Sequence, residues 1–203
     1  MKNYVLFCTG LSGTGKSHFI KNYLCDTAFY NLKSATTRPM RQGEQDGREY
    51  YFRDENWFDS QQFATKLWVN EHFWKPGEPK WLYGVTEQEI FDNLGHNFSY
   101  DIIQPKYAGQ MIKWFRGKHL DNYYGFKILW FQPWQNRSAI IEQRQNMPND
   151  ILVRKANTCN MQDFKAAHLA PDFIVLNNPE KQKIDDGLKR FIQKLVAEYS
   201  QNK

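Results

Sequence analysis

Only 3 of the 203 residues are cysteine, and Cys8, Cys25 and Cys159 show neither metal-ligand spacing nor the even count of a disulfide framework. Reduced, partly buried thiols are expected, and the fold must hold through its core. No apolar run approaches the roughly 20 residues of a membrane span, so a membrane role is not expected. No basic tract is present either. The formal charge of +5, from 27 basic and 22 acidic residues, is spread along the chain, which suits a polyanionic ligand but does not make a nucleic-acid surface. Aromatic residues reach 16% with no repeated basic-aromatic segment, which argues against a single-strand-binding platform. The 5 histidines are scattered without metal spacing, and there are neither internal repeats nor low-complexity tracts. The first motif begins at Gly10, leaving no room before it for a cleavable leader, so a cytoplasmic protein is expected.

What is present is enough for one sizeable core: 41% of the residues are hydrophobic. Tyr4 to Cys8 reads as a short buried strand and Lys16 to Leu24 as a helix entered directly from a glycine-rich turn. Later apolar runs at Phe98 to Ile103, Phe126 to Phe131 and Phe173 to Leu176 are rich in β-branched and aromatic residues, with room for helices between them. Such alternation predicts an α/β protein with a parallel sheet flanked by helices. Near the end, Ile184, Leu188, Phe191, Ile192, Leu195, Val196 and Tyr199 recur at helical spacing, with Asn178 and Pro179 placed to start that helix. Between about 34 and 94 the texture changes to Arg, Gly and polar residues with brief aromatic runs, which reads as a lobe inserted into the core. Within it Lys75 to Lys80 reads as a turn-forming loop, and Trp57, Trp68, Trp74 and Trp81 as a small apolar core.

Gly10-Leu-Ser-Gly-Thr-Gly15-Lys16-Ser17 fits the pattern G-x-x-x-x-G-K-[ST], and it lies between an apolar strand and a helix, the context that gives the pattern meaning. Ser12, Gly13, Thr14 and Gly15 would wrap backbone N–H groups around phosphate oxygens, Lys16 would reach the β and γ phosphates, and Ser17 would ligate Mg²⁺. A phosphate loop alone leaves the acceptor open. The segment Ser34-Ala-Thr-Thr-Arg38-Pro-Met-Arg41-Gln-Gly43-Glu44-Gln-Asp-Gly47-Arg-Glu-Tyr50-Tyr-Phe52 narrows it. Two guanidinium forks with a nearby phenol can hold a second phosphate facing the first.

That segment resembles the Ser-x-Thr-Thr-Arg-x-x-Arg-x-Gly-Glu-x-x-Gly-x-x-Tyr-x-Phe signature of the guanylate kinase family, with every named position filled. Leu82-Tyr83-Gly84 is similar to the family's Tyr-Tyr-Gly, and Phe173 to Asn178 to its late strand and adenine-side asparagine. The resemblance implies a P-loop NTPase-type fold in which core residues 1–33 and 95–203 carry a lid near 135–160, and residues 34–94 form the lobe for the nucleoside monophosphate. It implies ATP and Mg²⁺ as cofactors, with Asn177 on the adenine side. Arg38, Arg41, Tyr50 and Tyr83 would hold the acceptor phosphate, Ser34 and Glu71 would stand near the base, Asp101 would touch substrate or the Mg²⁺ shell, and Arg144 and Arg154 would close over the transferring group. Asp101 could instead cap a turn, and the lid arginines could be surface charges.

Val85 departs from the family's Ser or Thr, so the base is open: GMP or dGMP by resemblance, another or a modified nucleotide otherwise. A third reading is a catalytically silent interaction module, which the intact Lys16 and Ser17 disfavour. The chain would act as a monomer or homodimer.

Overall fold

The computed structural model describes residues 3–11, 13–24, 29–69, 81–133, 159–177 and 182–201. In chain order the strands are β1 (Asn3–Gly10), β2 (Phe29–Asn31), β3 (Ala35–Thr36), β4 (Tyr51–Phe52), β5 (Phe63–Val69), β6 (Trp81–Thr86), β7 (Phe98–Asp101), β8 (Tyr124–Pro133) and β9 (Phe173–Asn177). The helices are α1 (Lys16–Phe19, winding on as a π-helical turn over Ile20–Leu24), α2 (Glu55–Ser60), α3 (Glu87–Asp92), α4 (Pro105–Gly117), α5 (Met161–Ala166) and α6 (Gln182–Gln201).

Five strands form one all-parallel sheet in the order β2-β7-β1-β8-β9. Its central strand is buried without a break from Val5 to Thr9, as expected of a parallel strand covered on both faces. The two faces still separate by the period of two: Leu6 and Cys8 pack with Phe19, Leu188, Ile192 and Leu195, while Val5 and Phe7 pack with Met111 and Phe115 of α4. From β1 the chain moves to one side of the sheet, and after β7 it crosses to the other. The crevice at the carboxyl end of β1 is therefore where a ligand is expected in this topology.

The second sheet, in the order β4-β3-β6-β5, is built between residues 35 and 86, with β6 antiparallel to both β3 and β5. Its small core joins Ala35, Phe58 and Leu82, with Tyr51, Trp57 and Phe63 packed against it. Gly84 admits no side chain, because a Cβ there would stand 2.5 Å from Phe63 Cδ1. Two helices entering or leaving this region are capped by their own sequence. Asp54 accepts from the Trp57 amide at the start of α2, and Thr86 accepts from the Glu89 amide at the start of α3.

The expected strands and the terminal helix are all present, with β1, β8 and β9 each reaching further than the apolar runs alone indicated. The strand expected from Phe98 to Ile103 stops at Asp101, and Pro105 then opens α4. Lys75 to Lys80, Trp74, the expected lid up to residue 158 and the Asn178 start of the last helix lie outside the described residues. Among the described residues no helix is long and apolar enough to cross a membrane.

Candidate functional site

The phosphate loop leaves β1 at Gly10, whose φ of +136° belongs to glycine. Space makes the same demand: a Cβ at Gly10 would lie 2.4 Å from the carbonyl oxygen of Phe131 on β8. Gly13 and Gly15 turn the loop with φ of +84° and +91°. The buried Thr14 ties it inward by donating its hydroxyl to the Leu11 carbonyl at 2.7 Å. Lys16 Nζ donates to the carbonyls of Gly10 at 2.7 Å and Leu11 at 2.6 Å, which holds the ammonium against the loop. Gly15 stands at the N-cap of α1 and supplies no side-chain cap, so the first amides of the helix are left to an anion. Ser17 is exposed in that first turn. Ser12 lies outside the described residues.

The arginine segment is held in place by its own side chains. Arg38 is 3% exposed. Its Nη2 donates to both carboxylate oxygens of Glu44 at 2.9 Å, its Nη1 to the Pro39 carbonyl at 2.7 Å, and its Nε to the Tyr83 hydroxyl at 3.1 Å. Burial works against the guanidinium charge, but Tyr83 and Glu44 outweigh it and hold the group charged. Glu44 also accepts from the Arg41 amide at 2.7 Å and pairs with its guanidinium at 3.8 Å, so one carboxylate orients both arginines. The Tyr50 ring meets Tyr83 edge-on at 5.7 Å and lies under Arg38 at 5.5 Å. Burial, then the neighbouring Tyr83, pushes the Tyr50 phenol above its ordinary range, so it stays a neutral donor. Ser34 opens the segment, its carbonyl accepting from the Tyr51 amide at 3.0 Å.

Asp101 ends β7 beside Phe7 of β1 and is 4% exposed. Its Oδ2 is buried and meets no hydrogen-bond donor among the described residues. Burial raises its pKa to about 7, the Ile102 amide opposes that rise, and the charge of Glu89 adds to it. The carboxylate reaches both halves of the site electrically. It acts on the buried Cys8 thiol together with Lys16, and on the Tyr50 phenol together with Arg38 and Arg41.

A buried acid of this kind costs stability in a pH-dependent way. With a folded pKa near 7 against an ordinary value of 3.8, the native state binds the extra proton between those limits. Stability therefore falls as pH rises through that window. Asp101→Asn removes the ionising group and should melt higher than the parent protein at pH 8, by on the order of a few kcal/mol. The two melting curves should converge below about pH 4. Thermal melts at both pH values check this, and equal gaps at both would contradict it.

Val85 is fully buried with Val5, Phe7, Leu32 and Ile90, and its amide approaches Thr65 Oγ1 at 3.4 Å across β5 and β6. Glu71, Arg144 and Arg154 lie outside the described residues, and Asn177 is placed only as the last residue of β9. Sequence reasoning did not single out Glu44 as the organiser of the arginines, nor Glu89. For Glu44 the signal was available, three residues after Arg41 and inside the signature; for Glu89 none was.

No family model matches the chain. A guanylate kinase of Polaromonas sp. is 36% identical over 88 residues, 42% of this chain and 39% of that protein. A guanylate kinase of Synechococcus elongatus is 34% identical over 102 residues, 48% of this chain and 52% of that protein. The one from Rhodopseudomonas palustris is 49% identical over 49 residues, 23% of this chain and 22% of that protein. The chain thus matches about half the length of these relatives or less. The crystal structure of guanylate kinase from Anaplasma phagocytophilum superposes over 97% of this chain and 86% of that one, with a TM-score of 0.52 and 17% identity, which shows a shared P-loop NTPase-type fold.

Proposed function

We propose that this chain, a member of the guanylate kinase family by its matched sequence and shared fold, transfers the γ-phosphate of ATP to GMP or dGMP, giving the diphosphate and ADP. The observation that carries this reading is the buried Arg38, preset by Glu44, Tyr83 and Tyr50 as a second anion site in addition to the Lys16 loop. A protein that only bound ATP would have no use for it.

In this reading ATP lies in the Gly10 to Ser17 loop with its adenine toward Asn177, and residues 34–94 form the acceptor lobe of a single domain with a lid near 135–160. Lys16 leaves the neutral carbonyls of Gly10 and Leu11 for charged phosphate oxygens, a stronger partner for an ammonium. Arg38, Arg41, Tyr50 and Tyr83 grip the acceptor phosphate, Ser34 and Glu71 stand near the base, and Arg144 and Arg154 cover the transferring group. Phosphoryl transfer asks for alignment and charge stabilisation rather than acid-base chemistry, which this set of cations supplies. The residues present fit Mg²⁺: the exposed Ser17 hydroxyl would hold it, and the unsatisfied Oδ2 of Asp101 is the oxygen a nearby cation would complete. Bound there, Mg²⁺ would neutralise charge developing on the transferred phosphate. The protein would act in the cytoplasm, as a monomer or homodimer.

A second reading keeps the chemistry and changes the base. It is favoured by Val85, which puts an apolar side chain where the family has a hydroxyl. A panel of ribo- and deoxynucleoside monophosphates with ATP and Mg²⁺ separates the two. GMP or dGMP should exceed AMP, CMP and TMP in kcat/KM by at least about 100-fold, and equal turnover across the panel would defeat the guanine assignment.

A further inference from the structure

Glu89 sits on α3, outside both phosphate sites, yet it is 7% exposed and accepts three hydrogen bonds. Its Oε1 accepts from the Tyr30 hydroxyl of β2 at 3.0 Å and from the Lys33 amide at 2.9 Å, and its Oε2 accepts from the Tyr51 hydroxyl of β4 at 3.3 Å. These partners have a topological meaning. Lys33 is where the chain leaves the parallel sheet for the second sheet, and α3, capped by Thr86, is where it returns. One carboxylate therefore ties both crossings to a strand of each sheet. The Lys33 ammonium lies over the rings of Tyr30 at 5.5 Å and Tyr51 at 5.8 Å, offsetting the charge drawn into the junction.

We propose that Glu89 is the hinge pin of the acceptor-side sheet, a positioning residue that sets where Arg38 and Tyr83 stand relative to the phosphate loop. The path from it is short and continuous. Tyr51 pairs with Ala35 across β4 and β3, the next residue Thr36 accepts from the Arg38 amide at 3.1 Å, and Tyr83 lies on β6, which runs directly into α3. The contact to Tyr51 is the longest of the three and the only one that reaches a strand of the second sheet, so it is the contact that a movement of that sheet changes first. The two contacts on the other side hold the carboxylate fixed meanwhile. The inference rests on the proposed phosphoryl transfer for its kinetic consequence, though not for its mechanical one.

Two single-atom deletions divide the carboxylate's contacts. Tyr51→Phe removes the link to the second sheet, and Tyr30→Phe removes the link to the parallel sheet, each by one hydroxyl. The hinge predicts that Tyr51→Phe lowers kcat/KM for the acceptor about 3- to 10-fold with the KM for ATP unchanged, while Tyr30→Phe changes turnover by less than about 2-fold at a similar loss of melting temperature. Hydrogen exchange, which needs no turnover, should quicken at the amides of 35–38 and 51–53 in Tyr51→Phe and stay unchanged in β1. Equal kinetics in the two variants, or unchanged exchange at 35–38 and 51–53 in Tyr51→Phe, overturns the hinge. If the parent protein transfers no phosphate to any nucleotide while that exchange quickens, the kinase reading fails and the hinge stands.

Discussion

Lys16→Ala will lower turnover by about 10³-fold and leave the fold intact. The side chain donates to two neutral carbonyls of its own loop, contacts that its removal leaves open to water. Thr14 and the Phe19 amide, which donates to Gly15 at 3.0 Å, still close the loop and start the helix. A melting temperature within a few degrees of the parent's is therefore expected. In the proposed reaction the catalytic loss is large because the ammonium would stand where negative charge accumulates during transfer. About 4 kcal/mol of barrier corresponds to that factor. A coupled assay of ADP formation beside a thermal melt makes the measurement. An interaction module would behave in the opposite way, keeping its ligand binding in Lys16→Ala and showing no turnover to lose.

Replacing Arg38 should damage stability and activity together, unlike Lys16. Arg38→Lys keeps the charge but not the fork, and one ammonium cannot reach both Glu44 oxygens and the Tyr83 hydroxyl in the same plane. A loss of at least about 100-fold in kcat/KM for the acceptor is expected, with the KM for ATP little changed. Arg38→Met should be worse for the fold, because among the described residues it leaves Glu44 with the distant Arg41 guanidinium and its amide. Breaking a buried ion pair from one side costs about 3–5 kcal/mol. Arg41, whose side chain is 30% exposed, provides the contrast: Arg41→Lys should weaken acceptor binding with a much smaller change in melting temperature. If Arg38→Lys and Arg41→Lys prove equal in both readouts, the buried guanidinium has no special place in the site.

The base remains tied to one strand. Val85 is buried among apolar side chains of the parallel-sheet core. Thr65 Oγ1 on the neighbouring strand accepts from the Val85 amide at 3.4 Å. The substrate panel therefore carries more weight here than any single substitution.

The candidate phosphate loop and the arginine segment were legible in the sequence as patterns because they are local. A glycine at a positive φ, a lysine at the start of a helix and two arginines three residues apart are properties of short segments, and the same holds for the apolar stripe of α6. The strands β3 and β4 were not legible, since each has only two residues and pairing rather than pattern makes them strands. What the tertiary structure alone decided concerns charge. Asp101 and Glu89 are both acids in sequence. Folding buries both, satisfies Glu89 with three donors from as far as 59 residues away, and leaves one oxygen of Asp101 with none among the described residues. The same long-range approach brings Tyr83 to Arg38 across 45 residues. Which carboxylate becomes a pin and which an unsatisfied acid depends on desolvation and on donors arriving from other strands, and neither is written in the neighbouring residues.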